Sequence, residues 1–400
     1  MNRRRCVALG LSLAGVAAAV CCVHTSASPS LGTTAAITPG DLQRRLTAFA
    51  HDSMMGRDAG SYWDEKATDY VAGQFQALGL QSAGENGTYF QTVPNIRVRD
   101  TTVRRGLARN VIAIVPGSDP ALRGEYVAIT AHNDHVGYSH RPVDHDSLRA
   151  FNSVVRPLGA DSRARPATPE EVVRIQAILD SLRRIRPPRP DSISNGADDD
   201  GSGTIALIEL AEAFMKGNVK PHRSILFVSH TAEEKGLLGS AWYTDHSTVP
   251  IDSIVAEIDV DMIGRGAATD IKGGGPTYLE VVGLRRLSKE FGDWFEAVNA
   301  KEKLPFTFNY EYDAPGHPDQ YYCRADHYSY ARYGIPSVSL SRGEHMDYHQ
   351  VTDEAQYIDY PDYARLTQMV FDGALFVANA EHAPRLDAPK PTNPHIACKQ

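Results

Sequence analysis

Five short clusters of histidine and carboxylate residues stand out in this chain, and each could bind a divalent metal ion. They occupy the segments 132–135 (HNDH), 198–200 (DDD), 233–234 (EE), 259–261 (DVD) and 345–349 (HMDYH). Imidazole nitrogens and carboxylate oxygens are ligands that zinc takes in proteins. One such cluster has an ordinary structural explanation more often than not, whereas five in one chain predict a metal site.

Spacing within three clusters indicates different tasks for neighbouring residues. His132 and Asp134 face the same side of an extended segment, so Asp134 could hold one ring N–H while the other nitrogen binds a metal. Glu233 and Glu234 point in different directions, so one could ligate a metal and the other act as a general base on water. The acids at 198–200 repel one another, and a cation would relieve that repulsion.

The other two clusters leave a choice open. Asp259 and Asp261 share a face of an apolar run, where a carboxylate is costly unless it is paired or metal-bound. Either His345 or His349 could be a ligand. Residue type and spacing alone do not decide between the members of either pair.

The elements that must position these clusters form an alternating pattern. Apolar, β-branched runs predict strands at 110–117, 125–132, 223–231, 253–264, 277–283 and 335–341. Helices are predicted at 202–217, 236–246, 286–300 and 361–380. Such alternation is typical of an α/β domain with a largely parallel sheet, in which ligands bind beyond the carboxyl ends of the strands.

The start of the chain is expected to lie outside this domain. Three arginines, an apolar run and small residues predict a signal peptide over 1–27. Two N-terminal helices are predicted within 38–80, the first capped by Thr38 and the second ending at Gly79. The rest, residues 28–400, is expected to form one domain.

A segment rich in Arg, Pro and Asp interrupts the pattern at 138–194. Thr168 and Glu171 form a capping-box sequence ahead of an apolar stripe, which predicts one helix flanked by irregular arms. The insert is either a surface elaboration or a lid that narrows the site.

Composition excludes some functions. The chain has 400 residues and a net charge of −8, which disfavours a nucleic-acid partner. Beyond the predicted signal peptide only Cys323 and Cys398 remain, either as a disulfide or as two free thiols.

The clusters and their flanks resemble family twenty-eight of the metallopeptidases. These are dizinc exopeptidases that include bacterial leucyl aminopeptidases and, more distantly, glutamate carboxypeptidase. The resemblance lies in TAHNDHVG, NGADDDGSGT, TAEEKGLLGS, DVDMIGR, RADHYSYARYGIPSV and DYHQVTDE, in the family's order, and in the lead-in MMGRDAGSYWDEKATDYVAGQFQALGL. It implies a three-layer α/β/α sandwich with a mostly parallel, mixed central sheet.

The resemblance also implies a cofactor of two zinc ions. His132 and Asp261 would hold one ion, Glu234 and His349 would hold the other, and Asp199 would bridge them.

Three further residues receive roles from the same resemblance. Glu233 would be the general base, Asp134 would orient the first histidine ligand, and Asp200 would follow its neighbour through a cis peptide. The match favours Asp261 over Asp259 and His349 over His345.

The implied function is a secreted or periplasmic exopeptidase that removes N-terminal residues from peptides by attack of metal-activated water. Its partners would be peptides with a free N-terminus, without nucleic acid and without a membrane after signal removal; no oligomeric state is predicted.

Three alternatives stay open: a one-zinc glutaminyl cyclase, a non-enzymatic relative, and a carboxypeptidase that binds a substrate carboxylate with Arg265, Arg324 or Arg342. A calcium-binding module would explain the acids but not the histidines. The family's usual Ser-Asp-His reads Ala325-Asp326-His327 here.

Overall fold

A computed structural model of the protein describes residues 33–100, 102–157, 159, 165–271 and 273–400, so the predicted signal peptide lies outside the described residues. The helices are α1 Pro39–Phe49, α2 Tyr62–Leu78, α3 His145–Val155, α4 Pro169–Arg183, α5 Gly201–Lys216, α6 Leu238–Asp245, α7 Lys289–Asn299, α8 His327–Ala331 and α9 Tyr360–Asn379. The strands are β1 Gln81–Ser82, β2 Phe90–Thr92, β3 Arg109–Val115, β4 Tyr126–His132, β5 Tyr138–Asp144, β6 Pro190–Ile193, β7 Ser224–His230, β8 Ile254–Val260, β9 Tyr278–Val282, β10 Thr307–Asn309 and β11 Ser337–Ser341.

A mixed sheet forms the centre of the molecule. Its order is β1-β3-β7-β4-β8-β11-β9-β10, with β2 paired to β3. The four middle strands, β7-β4-β8-β11, run parallel, and the antiparallel pairs lie toward the edges. The parallel strands are almost fully buried apolar runs, as expected for strands covered on both faces.

Helices cover both faces of this sheet. Along β3, Val111 and Ala113 belong to the core that contains α1, α2, α5, α7 and α9. Ile112 and Ile114 point the other way, into a smaller core with Tyr243 of α6 and Tyr330 of α8. Successive side chains of a strand face opposite sides, so these two cores are two layers. The predicted α/β/α fold is therefore confirmed.

The predicted helices and core strands are present, with ends shifted by a few residues. Thr38 caps α1 by accepting the backbone N–H of Asp41 at 3.0 Å, and Gly79 ends α2 at a φ of +81°. The strand predicted to reach residue 264 ends at Val260. Met262 adopts a φ of +56° and donates its N–H to the side chain of Asp200 at 3.2 Å, so the chain leaves the sheet there.

The insert is more ordered than the sequence indicated. The predicted helix begins at the capping box of Thr168 and Glu171. In the described residues of the flanking arms, however, the chain is regular: β5 and β6 pair as an antiparallel ladder, and α3 packs against α4. Asp146 of α3 ties the unit together, because three arginines lie within 3.3 Å of it, namely Arg183, Arg186 and Arg189.

Two findings concern the rest of the chain. Cys323 and Cys398 form a disulfide with a Cα–Cα distance of 5.8 Å, which answers the choice left open by the sequence. In the part of the chain that the structure describes, no helix is long and apolar enough to cross a membrane.

Candidate metal centre

The carboxyl ends of the parallel strands bring the sequence clusters to one edge of the sheet. His132 is the last residue of β4, and Asp261 directly follows β8. Glu234 lies in the turn after β7. Asp199 comes just before the first turn of α5, and His349 lies in the loop after β11. Four of the five predicted ligands therefore lie at or next to the ends of elements, and His349 reaches the same edge of the sheet from a loop.

Their side chains form two groups that share Asp199. One oxygen of Asp199 lies 3.2 Å from His132 Nε2, and its other oxygen lies 3.1 Å from His349 Nε2. His349 Nε2 is also 3.1 Å from Glu234 Oε2. At the other end, His132 Nε2 lies 3.8 Å from Asp261 Oδ1.

The donor atoms of this cluster fit metal ions. Asp261 Oδ1 is buried without a hydrogen-bond partner among the described residues, and the buried oxygens Asp199 Oδ2 and Glu234 Oε1 have ring nitrogens of histidines as their near neighbours. Burial raises the pKa of Asp261 well above its usual value; His132 opposes this rise, and Asp199 adds to it. Buried acceptors without donors are rare unless an ion or water serves them. A mixed set of imidazole nitrogens and carboxylate oxygens suits zinc.

Asp199 and Asp200 are joined by a cis peptide, as the resemblance implied. The carboxylate of Asp200 accepts the backbone N–H groups of His132 at 3.0 Å and Gly203 at 2.8 Å. A Cβ at Gly203 would lie 1.9 Å from the carbonyl oxygen of Val260. The glycine is therefore required by the close approach of α5 to β8, and Asp200 anchors that contact.

Glu233 lies beside the cluster, with one oxygen 3.9 Å from His132 Nε2. Its backbone N–H donates to Asp134 Oδ1 at 3.1 Å. Burial raises the pKa of Glu233 well above its ordinary value, which His132 opposes. His132 Nδ1 is 3.1 Å from the backbone carbonyl of Asp134 and 3.7 Å from its carboxylate. The backbone carbonyl of Asp134 thus contacts the imidazole of His132, whereas its carboxylate accepts the hydrogen bond from the backbone of Glu233.

The residues between which the sequence left a choice have separate surroundings. Asp259 accepts the hydroxyl of Thr130 at 3.0 Å within the sheet, whereas Asp261 lies in the cluster. His345 Nε2 lies 3.2 Å from Asp198 in a fully buried position.

His135 is part of the centre although the sequence gave it no role. Its Nδ1 lies 2.9 Å from Glu234 Oε1 and 3.6 Å from Asp199 Oδ2. The ring is fully buried against Gly196, whose φ is +55° and where a Cβ would lie 2.5 Å from the imidazole. Gly196 in the NGADDD motif was the sequence signal, because a glycine at a turn can indicate that another group, here the ring of His135, packs closely against the backbone.

We call the loop that follows β11 and carries His349 the metal-site loop. A third group of potential ligands lies between the insert and the end of this loop. His145 Nδ1 is 3.1 Å from Asp191, and its Nε2 is 3.1 Å from the hydroxyl of Tyr357 and 3.6 Å from Glu354. Both ring nitrogens already have partners, so this group forms a polar junction that fixes the insert.

A cavity of about 370 Å³ opens beside the cluster. Asp199, Glu233, Glu234 and Asp261 form one side of it. The cavity is also lined by Met262, Val282, Tyr321, Cys323, Arg324, Ala325 and Tyr348. The cavity is large enough for an amino-acid side chain held next to the metal centre.

Two of the three arginines considered for carboxylate binding are engaged elsewhere. Arg265 is buried and paired with Asp270 at 2.8 Å, and Arg342 is buried and bonded to backbone carbonyls. Arg324 does line the cavity, where it lies 3.2 Å from Glu344.

The sequence around this cluster matches a known family. The model of peptidase family M28 matches residues 110–374, which is more than half of the chain and includes every predicted site residue. The chain belongs to peptidase family M28.

Among M28-like relatives, the probable leucine aminopeptidase 2 of Aspergillus oryzae is 28% identical over 203 residues, covering 50% of this chain and 34% of that protein. Leucine aminopeptidase 1 of Coccidioides posadasii is 29% identical over 236 residues, covering 54% of this chain and 55% of that protein. The chain thus spans about a third to about half the length of these two relatives.

Solved structures resemble most of the chain. A leucine aminopeptidase precursor from Bacteroides thetaiotaomicron covers 85% of this chain and 97% of its own, with a TM-score of 0.55 and 17% identity. The zinc aminopeptidase BSAP from Bacillus subtilis covers 85% and 95%, with a TM-score of 0.53 and 14% identity. A glutaminyl cyclase from Porphyromonas gingivalis covers 84% and 96%, with a TM-score of 0.55 and 16% identity. At these identities the likeness shows the M28 fold alone.

Proposed function

We propose that this protein is an exported aminopeptidase that holds two zinc ions and hydrolyses the first peptide bond of its substrates. The observation that carries the proposal is the pair of histidine–carboxylate groups that share Asp199, with Glu233 beside them in the lining of a cavity. The names of the similar proteins, leucine aminopeptidases and a zinc aminopeptidase, agree with it.

In this proposal His132 and Asp261 hold one ion, Glu234 and His349 hold the other, and Asp199 serves both. Bound zinc supplies Lewis acidity, which polarises the scissile carbonyl and makes a water molecule acidic enough to attack it.

Glu233 is the proposed general base, and the remaining work falls to residues that position it. It takes a proton from the attacking water and returns it to the leaving amine. Asp134 fixes the backbone of Glu233 through the 3.1 Å hydrogen bond, which keeps the carboxylate at the cluster. The N-terminal side chain of the substrate enters the 370 Å³ cavity, where Glu233 and Asp261 attract the free α-ammonium group.

The test compares three kinds of substrate: aminoacyl-p-nitroanilides, the same compounds with a blocked amine, and peptides that end in glutamate. Wild type, Glu233→Gln and the matched control Glu170→Gln, whose side chain is exposed on α4, are assayed with and without a chelator. We expect cleavage of free-amine substrates only. Chelation and Glu233→Gln should each lower kcat by about a hundredfold or more, because both remove a direct part of the chemistry. Glu170→Gln should behave as wild type.

Other outcomes point to the alternatives. Cleavage of the glutamate-terminated peptides would favour the carboxypeptidase with Arg324 in the cavity. If the zinc-loaded protein cleaves nothing, the aminopeptidase proposal is wrong, and cyclisation of N-terminal glutamine becomes the next assay. Intact-mass measurement of the exported protein would test the removal of residues 1–27.

A further inference from the structure

A second cavity lies between the insert and the loop that carries His349. Its volume is about 640 Å³. The insert contributes Arg141, Phe151, Asn152 and Arg156, and the loop contributes His349 and Gln350. The cavity therefore reaches the metal cluster at His349, whose side chain is 38% exposed. We call this cavity the insert cleft.

Side-chain contacts fix the walls of the insert cleft to each other. Asn152 of α3 donates to the side-chain oxygen of Gln350 at 2.5 Å. Arg149, also on α3, pairs with Asp347, and its guanidinium stacks 3.4 Å above the ring of Tyr357. The cleft is thus a formed feature of the structure, in which α3 is held against the metal-site loop.

The charge of the insert cleft is unusual for this acidic protein. Neither Arg141 nor Arg156 forms an ion pair with any residue that the structure describes, and Nε of Arg156 is buried without a hydrogen-bond partner. By contrast, Arg165 at the rim makes two 2.7 Å hydrogen bonds to Glu171. Guanidinium groups that have no carboxylate partner among the described residues are well suited to bind a ligand carboxylate, with which each can form two parallel hydrogen bonds.

The two cavities contact different residues of the metal cluster. The first is lined by the acids Asp199, Glu234 and Asp261, whereas the insert cleft reaches the cluster at His349. Asp199 Oδ2 lies 3.1 Å from His349 Nε2, so the two cavities adjoin at this contact. A peptide whose first side chain occupies the first cavity would therefore pass its later residues across the cluster toward the insert cleft.

We propose that Arg141 and Arg156 bind a carboxylate of the substrate on the C-terminal side of the scissile bond. This inference rests on the proposed aminopeptidase function and adds a substrate class to it. The carboxylate has two sources: the α-carboxylate of a di- or tripeptide, or an acidic side chain just after the cleaved bond. Either source makes the insert a specificity element of the site.

The experiment uses zinc-loaded protein and matched peptides. Leu-Ala and Leu-Ala-Ala are compared with their C-terminal amides, and Leu-Glu-amide and Leu-Ala-Glu-amide supply the acidic side chain. The variants are Arg141→Ala, Arg156→Ala and their double, with Arg174→Ala as control because it is exposed on α4 outside the insert cleft. Leucine p-nitroanilide has no carboxylate and reports the intact metal centre.

We expect wild type to prefer free-carboxylate or acidic peptides over the neutral amides by about tenfold or more in kcat/KM, as loss of a charged hydrogen bond would cause. The double variant should lose this preference and keep its p-nitroanilide activity, and Arg174→Ala should match wild type. The peptide that shows the preference identifies the source of the carboxylate. An absent preference, a preference unchanged in the double variant, or an equal loss on the p-nitroanilide would overturn the proposal.

A binding measurement separates this proposal from the proposed function. Zinc-loaded Glu233→Gln protein, with and without the two arginine substitutions, is titrated calorimetrically with Leu-Ala and Leu-Ala-amide, and with Leu-Glu-amide. A carboxylate-containing peptide should bind about tenfold more tightly than the neutral amide only when both arginines are present. This result would support the insert cleft even if no peptide were hydrolysed by wild type, whereas equal affinities would contradict it even in an active enzyme.

Discussion

Two acids at the end of β8 show how a two-residue shift separates a structural from a metal-site side chain. Asp259 accepts a hydroxyl hydrogen bond inside the sheet, and Asp261 lies 3.8 Å from His132 Nε2. We expect Asp261→Asn to lower the bound zinc from two ions per chain to about one, because an amide is a poor zinc ligand. Asp259→Asn, the matched control, should keep both. Elemental analysis after dialysis measures the difference, and loss of zinc from Asp259→Asn alone would contradict the proposed ligand set.

At the residue scale, type and spacing predicted the five clusters, and the family resemblance selected from them the five side chains that the structure brings together. Spacing could not tell that His132 Nδ1 faces the carbonyl of Asp134, because that depends on the rotation of one peptide group. It also gave no role to His135, whose contact with Glu234 joins two strands that are distant in sequence. Contacts of this kind arise from strand order, which local patterns do not encode.

At the scale of elements, α3 supports the loop that presents His349. Arg149→Ala removes the pair with Asp347, two residues before this proposed ligand. Outer contacts of metal ligands commonly contribute ten- to a hundredfold to affinity. We therefore expect one of the two zinc ions to bind about tenfold more weakly, and the other, at His132, to bind as before.

Competition with a chromophoric chelator would resolve these two affinities. Arg174→Ala, which changes an exposed arginine on α4, serves as the control. An equal weakening of both ions would mean that Arg149 stabilises the whole fold rather than the loop.

The disulfide is a second supporting element, since Cys323 lines the first cavity and Cys398 lies in the C-terminal segment. Its loop spans 75 residues, and closing a loop of this size is expected to stabilise a fold by about 2–4 kcal/mol. The Cys323→Ser/Cys398→Ser double variant should unfold at lower denaturant concentration and show a raised KM, with zinc content unchanged. Urea titration and kinetics measure both effects; an unchanged KM would mean that the tether does not shape the cavity.

Element prediction failed where side chains give no periodic signal. Strand β5 is mostly exposed and polar, so the insert looked irregular until its ladder with β6 was seen. Strand β8 was predicted too long because the apolar run continues through Met262 and Ile263 after the backbone has turned away. Tertiary contacts, not local hydrophobicity, therefore determine that β5 is a strand and that β8 ends at Val260.

At the scale of the whole molecule, a buried charge cluster joins α1 to α5. Arg45 pairs with Glu209 and Glu212, and all three side chains are buried. Burial raises the pKa of Glu209 from 4.5 to about 7, although Arg45 opposes the rise. The folded state therefore binds this proton more tightly than the unfolded state between these values, and stability falls as pH rises from about 4.5 to 7.

In Glu209→Gln the free energy of unfolding should fall less steeply between about pH 4.5 and 7, and the difference from wild type should reach about 3 kcal/mol over this range. Glu212 provides the opposite case: burial raises its pKa, but hydrogen bonds from Lys216 and Arg45 leave it lowered. The stability that ionised Glu212 contributes is present at neutral pH and is lost when wild type is acidified. Glu212→Gln should therefore lower the free energy of unfolding at neutral pH. Urea titrations from pH 4 to pH 8 measure both slopes, and parallel curves for wild type and Glu209→Gln would contradict the assignment.

We propose that residues 28–400 fold as one domain with the insert as part of it, and the same titrations should show a single transition. Alternation of strands and helices was enough to predict the layered fold. The strand order and the antiparallel edges were not predictable, because one sequence pattern fits several orders. The ends of the parallel strands nevertheless defined where the site would be.

The disulfide between Cys323 in the first cavity and Cys398 in the C-terminal segment also determines when the cavity reaches its final geometry. A chain that is still in a reducing compartment lacks this bond, so Cys323 and its neighbours are held there by weaker contacts alone. Under the proposed export, full pocket geometry would be reached only after translocation and oxidation. The proposed aminopeptidase would therefore mature only outside the compartment in which its chain is synthesised.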